Sequence, residues 1–131
     1  MNLFLLEDTN QAQICRQMIL LNGECASLQW SRTIQDVPAN VSEALETVQD
    51  FLKGRIEAIC GTAAQTVELS EAQEQALFAA FKTSRELKEL LGSGVVLAGE
   101  ESEIVQRELR SVPELRAVKD ALGLGKHLVL F

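Results

Sequence analysis

The sequence predicts a single-domain α/β protein, a three-layer sandwich in which about five mostly parallel strands alternate with helices. Four short runs are apolar at nearly every position, which is typical of strands covered on both faces. Segments with helical apolar spacing lie between them and would supply the crossover connections that parallel strands need. The four runs are LFLL (Leu3 to Leu6), IEAIC (Ile56 to Cys60), VVLA (Val95 to Ala98) and LVLF (Leu128 to Phe131).

A fifth segment, ECASLQW, alternates apolar and polar residues from Glu24 to Trp30. This alternation predicts a strand with one exposed face, near a sheet edge. A mostly helical alternative remains open, because residues 41–60 could form one helix through RIEAIC with Gly54 tolerated inside it.

Helix start and stop signals divide the rest of the chain into four segments. Asp8 and Gln11 have the spacing of a capping box, and so do Ser70 and Gln73. Glycines mark the expected helix ends. The segments run from Asp8 to Gly23, from Pro38 to Gly54, from Ser70 to Gly92, and from Gly99 to Gly123 with a break near Pro113.

The composition limits the partners. The chain has 131 residues, 19 acidic and 12 basic, and a formal net charge of −7. Such a chain has no net electrostatic attraction to nucleic acid or to an anionic membrane. We therefore expect neither as a partner, and a basic protein partner is favoured over an acidic one.

Targeting and redox features favour the cytoplasm. No apolar run approaches the roughly 20 residues of a membrane span, and LFLL is too short for a secretory signal. Cys15, Cys25 and Cys60 fit no disulfide framework or zinc pattern, so we expect buried, reduced thiols. With one histidine, His127, a metal site built on histidine and cysteine is not expected.

The opening MNLFLLED places an acidic pair, Glu7 and Asp8, after a hydrophobic run. It resembles the opening of response-regulator receiver domains, whose acidic pair binds magnesium. The rest of the family pattern is missing. Ile59-Cys60-Gly61-Thr62 stands where the phosphorylated aspartate is expected, Ala98-Gly99 replaces the hydroxyl residue, and Lys126 precedes the last strand. The resemblance therefore implies at most a degenerate receiver-like domain without a phospho-acceptor.

Glu7 and Asp8 have two interpretations. They could ligate magnesium, or they could begin a helix, where a carboxylate caps free N–H groups and anions are favoured. Capping is the preferred interpretation, and no metal site is expected. A crevice at the carboxyl ends of the strands remains a candidate for binding a small ligand. Its candidate residues are Glu7, Asp8, Gly61, Thr62 and Gly99.

No catalytic constellation is found. GLGK at Gly123 to Lys126 departs from the P-loop pattern, and no G-x-S-x-G elbow exists. A cysteine–histidine nucleophile would need Cys15, Cys25 or Cys60 to meet His127, and Cys60 is the best placed of the three. Buried structural thiols are the favoured interpretation. We therefore expect no catalytic residues and no cofactor.

The favoured function is a non-catalytic protein-interaction or regulatory module of the acidic adaptor or inhibitor type. The alternatives are a degenerate receiver-like signalling domain and a small-ligand or nucleotide binder. The apolar segment HLVLF should form a strand within the sheet or insert into a partner, because left loose it would promote aggregation.

Overall fold

The sheet is small and antiparallel. The computed structural model describes residues 3–35, 38–91, 95–97, 99–122 and 126–131. Every neighbouring pair of strands is antiparallel, and the order is β2-β1-β4-β3. The strands are β1 (Leu3–Leu6), β2 (Ala64–Val67), β3 (Val95–Val96) and β4 (His127–Leu130).

Helices make up most of the described residues, about 75% of which are helical. They are α1 (Thr9–Gln35), α2 (Ala39–Ala63), α3 (Glu71–Thr83), α4 (Arg85–Leu91), α5 (Glu100–Arg110) and α6 (Arg116–Ala121). A short 3-10 helix at Pro113–Leu115 precedes α6, which agrees with the predicted break near Pro113. The predicted helix ends at Gly92 and Gly123 lie outside the described residues.

The predicted sandwich of about five mostly parallel strands is wrong, and the mostly helical alternative is confirmed. IEAIC lies in α2 and ECASLQW lies in α1. Ile56 and Cys60 are four residues apart and both buried, which is the spacing of one helix face. The α/β architecture that the receiver resemblance implies is therefore not the fold of this chain.

Both long helices pass through a glycine that was expected to end a helix. Gly23 lies inside α1 and Gly54 inside α2. A glycine inside a helix costs about 1 kcal/mol relative to alanine. Packing of α1 against α2 outweighs that cost, so the helices continue.

Helices cover both faces of the sheet, which explains the continuous apolar runs. Along β1, Leu3 and Leu5 enter one core, whereas Leu6 enters the other. The first core is closed by buried residues of the later helices: Leu77, Leu87, Val105, Leu109, Leu115 and Val118. The second is closed by Ala12 and Cys15 of α1 and by Ile56 and Cys60 of α2.

The α1–α2 hairpin is much longer than the sheet. α1 has 27 residues and α2 has 25, or about 40 Å and 38 Å at 1.5 Å per residue. Each strand of the sheet has at most four residues, or about 13 Å. Residues 26–30 and 39–51 include no buried side chain. The far half of the hairpin therefore projects beyond the sheet.

None of the helices in the described part of the chain combines the length and the apolar character that a membrane span requires.

Candidate protein-binding surface

The five predicted crevice residues lie at one end of the strands of the sheet. Glu7 and Asp8 follow β1, while Gly61 and Thr62 lie in the last turn of α2, just before β2. Leu6 of β1 pairs with Ala64 of β2, which brings these two pairs to the same end. Gly99 follows β3, which is two strands away from β1. That separation is about 10 Å, so the five residues lie at the same end of the strands without converging on one point.

Three of these residues have structural roles. The Gln11 backbone N–H donates to Asp8 Oδ1 at 2.9 Å, as predicted for a helix cap. The Thr62 hydroxyl donates to the Ala58 carbonyl at 2.9 Å. Gly99 has a φ of 100° before α5, a conformation that favours glycine. Within the described ranges, no three His, Cys, Asp or Glu residues are grouped to hold a metal ion.

His127 is buried at the same end of the sheet. It is the first residue of β4, pairs with Leu6 of β1, and is 1% exposed. Its Nε2 lies 3.3 Å from the Thr9 hydroxyl oxygen. Burial lowers the pKa of His127, and the nearby Asp8 carboxylate acts in the opposite direction. A neutral imidazole in this position links β4 to the start of α1.

Cys15 and Cys60 lie in the same buried core, and each thiol influences the pKa of the other. Both side chains are buried, and both cysteines are free. The neighbouring Cys15 thiol and burial together raise the pKa of the Cys60 thiol. A buried thiol with a raised pKa is a poor nucleophile, so Cys60 does not offer the reactive group that a cysteine–histidine enzyme would need.

A shallow cavity of about 890 Å³ lies beside α1. Its lining includes Arg16, which lies 3.5 Å from Glu101 in an ion pair. Glu101 also accepts a hydrogen bond from the Leu97 backbone N–H at 3.3 Å. These contacts tie the start of α5 to α1 and β3, so the charged groups at this cavity already have partners within the chain.

Exposed apolar side chains concentrate on the hairpin. Among the described residues, nine large apolar side chains are exposed, and eight of them belong to α1 or α2. We call six of these the outer face. They are Ile14, Leu21 and Leu28 of α1 and Val41, Val48 and Phe51 of α2, and they are between 40% and 65% exposed.

The six side chains of the outer face share one side of the hairpin. Buried Cys25 of α1 and Leu52 of α2 mark the sides on which the helices face each other. A helix turns by about 100° per residue. On this basis the apolar residues of α1 are offset from Cys25 by about 20° to 60°, and those of α2 from Leu52 by about 20° to 100° in the same direction. Cys15 and Cys60 are each offset by about 80° in the opposite direction, toward the sheet.

Two antiparallel helices that lie side by side are related by a two-fold axis perpendicular to the plane that contains both. Residues of α1 and α2 with similar angular offsets in the same direction therefore lie on the same side of that plane. The outer face therefore points away from the sheet. From Ile14 to the level of Val41 it spans about 20 residues of helix, or about 30 Å. Two helices side by side are about 20 Å wide. This side of the hairpin thus has a footprint of about 600 Å². The six apolar side chains cover part of it, and exposed charged residues such as Glu24 and Arg55 lie among them.

Sequence reasoning missed this surface because it ended the first helix at Gly23 and assigned ECASLQW to a strand. One signal was present in the sequence. Ile14, Leu21 and Leu28 repeat every seven residues, and so do Val41 and Val48. A seven-residue apolar repeat is typical of helices that pack against other helices.

Comparison with known proteins finds no match to this chain among protein-family models, curated proteins or solved structures.

Proposed function

We propose that this chain is a non-catalytic protein-interaction module that binds another protein chain through the outer face of the α1–α2 hairpin. The exposure of six large apolar side chains on one side of the hairpin carries the proposal. Large exposed apolar side chains that cluster on one side of a folded protein often mark a protein-binding site.

The energetics suit a reversible interaction. Full burial of one such side chain contributes about 1.5–3 kcal/mol, and these are already partly buried, so the six together contribute about 4–12 kcal/mol. Association itself costs about 4–15 kcal/mol. The apolar contacts and the entropic cost are therefore of similar size, and close packing decides the affinity.

The spacing and the charge favour a partner of a particular kind. A seven-residue repeat suits a helical partner crossing at about 20°. The net charge of −7 gives long-range attraction to a basic partner and long-range repulsion from an acidic one, and salt screens both beyond about 10 Å at 0.1 M. A cytoplasmic location remains part of the proposal, supported by three free and buried cysteines.

Site-specific photo-crosslinking in the producing cell tests the proposal. A photoreactive phenylalanine analogue would replace Phe51 on the outer face in one version of the chain. It would replace Phe78 of α3, which is 49% exposed and outside the hairpin, in a matched control. We expect a defined protein–protein adduct from position 51 and none from position 78. No adduct at position 51, or equal adducts at both positions, would contradict the proposal.

A further inference from the structure

We propose that the chain that binds the outer face is a second copy of this protein, so that two α1–α2 hairpins pack face to face in a symmetric four-helix arrangement. The inference rests on the proposed function, because it takes the outer face to be a protein-binding surface.

The area of the surface fits a dimer. Two outer faces of about 600 Å² would bury about 1,200 Å² in total, within the range of specific protein interfaces. A two-fold interface must be self-complementary, with the same patch on both copies. The hairpin satisfies this condition in its simplest form, because α1 and α2 are antiparallel and both carry apolar residues on the same side. Each α1 can then pack on the partner's α2.

The charges within the outer face are also complementary. Glu24 lies on α1 between Leu21 and Leu28, and Arg55 lies on α2 one turn beyond Phe51. Both charged side chains are exposed. A two-fold axis that places α1 on the partner's α2 brings Glu24 of each copy near the partner's Arg55. Two such pairs form, one on each side of the axis. Leu21 then packs between the partner's Phe51 and the partner's Arg55.

The net charge makes self-association distinguishable from binding to a basic protein. Two copies each carry a formal charge of −7 and repel one another over long distances. Salt screens interactions between exposed charges beyond about 10 Å at 0.1 M. Added salt should therefore strengthen the dimer, whereas it would weaken a complex with a basic partner.

Sedimentation velocity of the full chain between about 1 and 100 μM tests the inference. We expect a species of twice the 14.4 kDa chain mass, favoured at 150 mM over 20 mM NaCl. Phe51→Glu should raise the dimer Kd at least about 100-fold, because the substitution enters the symmetric interface twice. Phe78→Glu, the matched control on α3, should leave the Kd unchanged. Circular dichroism of both variants checks that they remain folded.

Charge reversal provides a second measurement that does not depend on replacing an apolar residue. Glu24→Arg or Arg55→Glu alone should weaken the dimer, and the double variant should recover most of the lost affinity. A wild-type chain that is monomeric at 100 μM would overturn the inference, as would a dimer that Phe51→Glu leaves intact. A monomer that still gives the adduct at position 51 with a different protein would refute self-association and leave the proposed function standing. Loss of both signals would refute both.

Discussion

Cys15 of α1 and Cys60 of α2 lie in the same buried core, at the point where the hairpin meets the sheet. Both side chains are buried in the core that also contains Leu6 and Val129 of the sheet. The two helices are thus held to each other and to the sheet at the same place. Beyond this point the hairpin no longer packs on the sheet. The outer face extends along both the part of the hairpin on the sheet and the part beyond it.

The first prediction is that the cysteines resist modification in the native protein. All three are buried, and the raised pKa of Cys60 leaves little thiolate to react. Reaction then requires opening of the structure, which for a small domain slows labelling at least about 1,000-fold. The reaction rate with a disulfide reagent should be compared in buffer and in urea. Native labelling as fast as in urea would show that the thiols are accessible.

The second prediction concerns acid. Burial lowers the pKa of His127 below its ordinary value of 6.5, so the unfolded chain binds a proton more readily than the native one. The stabilisation is fully present above pH 6.5 and is lost as the pH falls through the window below it. The free energy of unfolding should decrease by at most about 1.4 kcal/mol per pH unit, the limit for one proton. Urea unfolding at pH 7, 6 and 5 measures this slope.

His127→Gln is the control for that slope, because glutamine does not titrate. The carboxylates titrate in both proteins, so the difference between the two curves isolates the imidazole. The variant should have a flatter dependence between pH 7 and 5 than the wild type. Equal slopes in both proteins would mean that His127 has the same pKa in the folded and unfolded chains.

The sequence predicted which strands are covered on both faces, and it did not predict their direction. LFLL and VVLA contain β1 and β3, and LVLF contains all of β4 except its first residue, His127. Ala98, the last residue of VVLA, lies outside the described residues. Successive side chains are apolar because each face of the sheet has its own core. An antiparallel sheet with helices on both faces produces the same pattern as a parallel one. β2 escaped prediction because AQTV is a half-exposed edge strand with little apolar character.

The long helices were missed for a different reason. Local signals at Gly23 and Gly54 favour a stop, and ECASLQW alternates like a strand. Each local preference is worth about 1 kcal/mol or less. Packing between α1 and α2 outweighs these preferences. The residues next to Gly23 in the sequence do not reveal that this part of the chain packs against a helix that begins at Ala39. The candidate surface depends on that long-range pairing, so it could not be located before the helices were.

The third prediction concerns the cap of α1. Asp8 Oδ1 accepts the hydrogen bond of the Gln11 backbone N–H. Asp8→Ala should lower the free energy of unfolding by about 1 kcal/mol because this N–H loses its acceptor. Asp8→Asn, which keeps an acceptor oxygen, should cost less. Chemical unfolding of the two variants measures the difference, and equal losses would contradict a capping role.

Magnesium provides a separate check on the acidic pair. Asp8 is engaged with the helix start, and no third carboxylate joins Glu7 and Asp8 in a group that could hold a metal among the described residues. Calorimetric titration should therefore detect no useful magnesium affinity at neutral pH. Heat of binding that disappears in Asp8→Ala would show that the pair does act as a metal site.

The last prediction concerns β4, the strand that the HLVLF segment was predicted to form and that the structure confirms. β4 pairs with β1 on one side and with β3 on the other. Leu128 is 1% exposed and packs in one core, and Val129 is fully buried in the other. Leu128→Ala should therefore lower the free energy of unfolding by about 2–5 kcal/mol, from lost burial and the cavity left behind.

Removal of β4 should have a larger effect than any single substitution in it. Deleting Leu128 to Phe131 leaves β1 and β3 without their shared neighbour and exposes apolar surface in both cores at once. We expect an insoluble or unfolded product, judged by solubility and by loss of a cooperative urea transition. Thr66→Ala, on the exposed part of edge strand β2, is the matched control and should change stability by less than about 1 kcal/mol. A soluble, cooperatively folded deletion product would show that β4 is dispensable to the sheet.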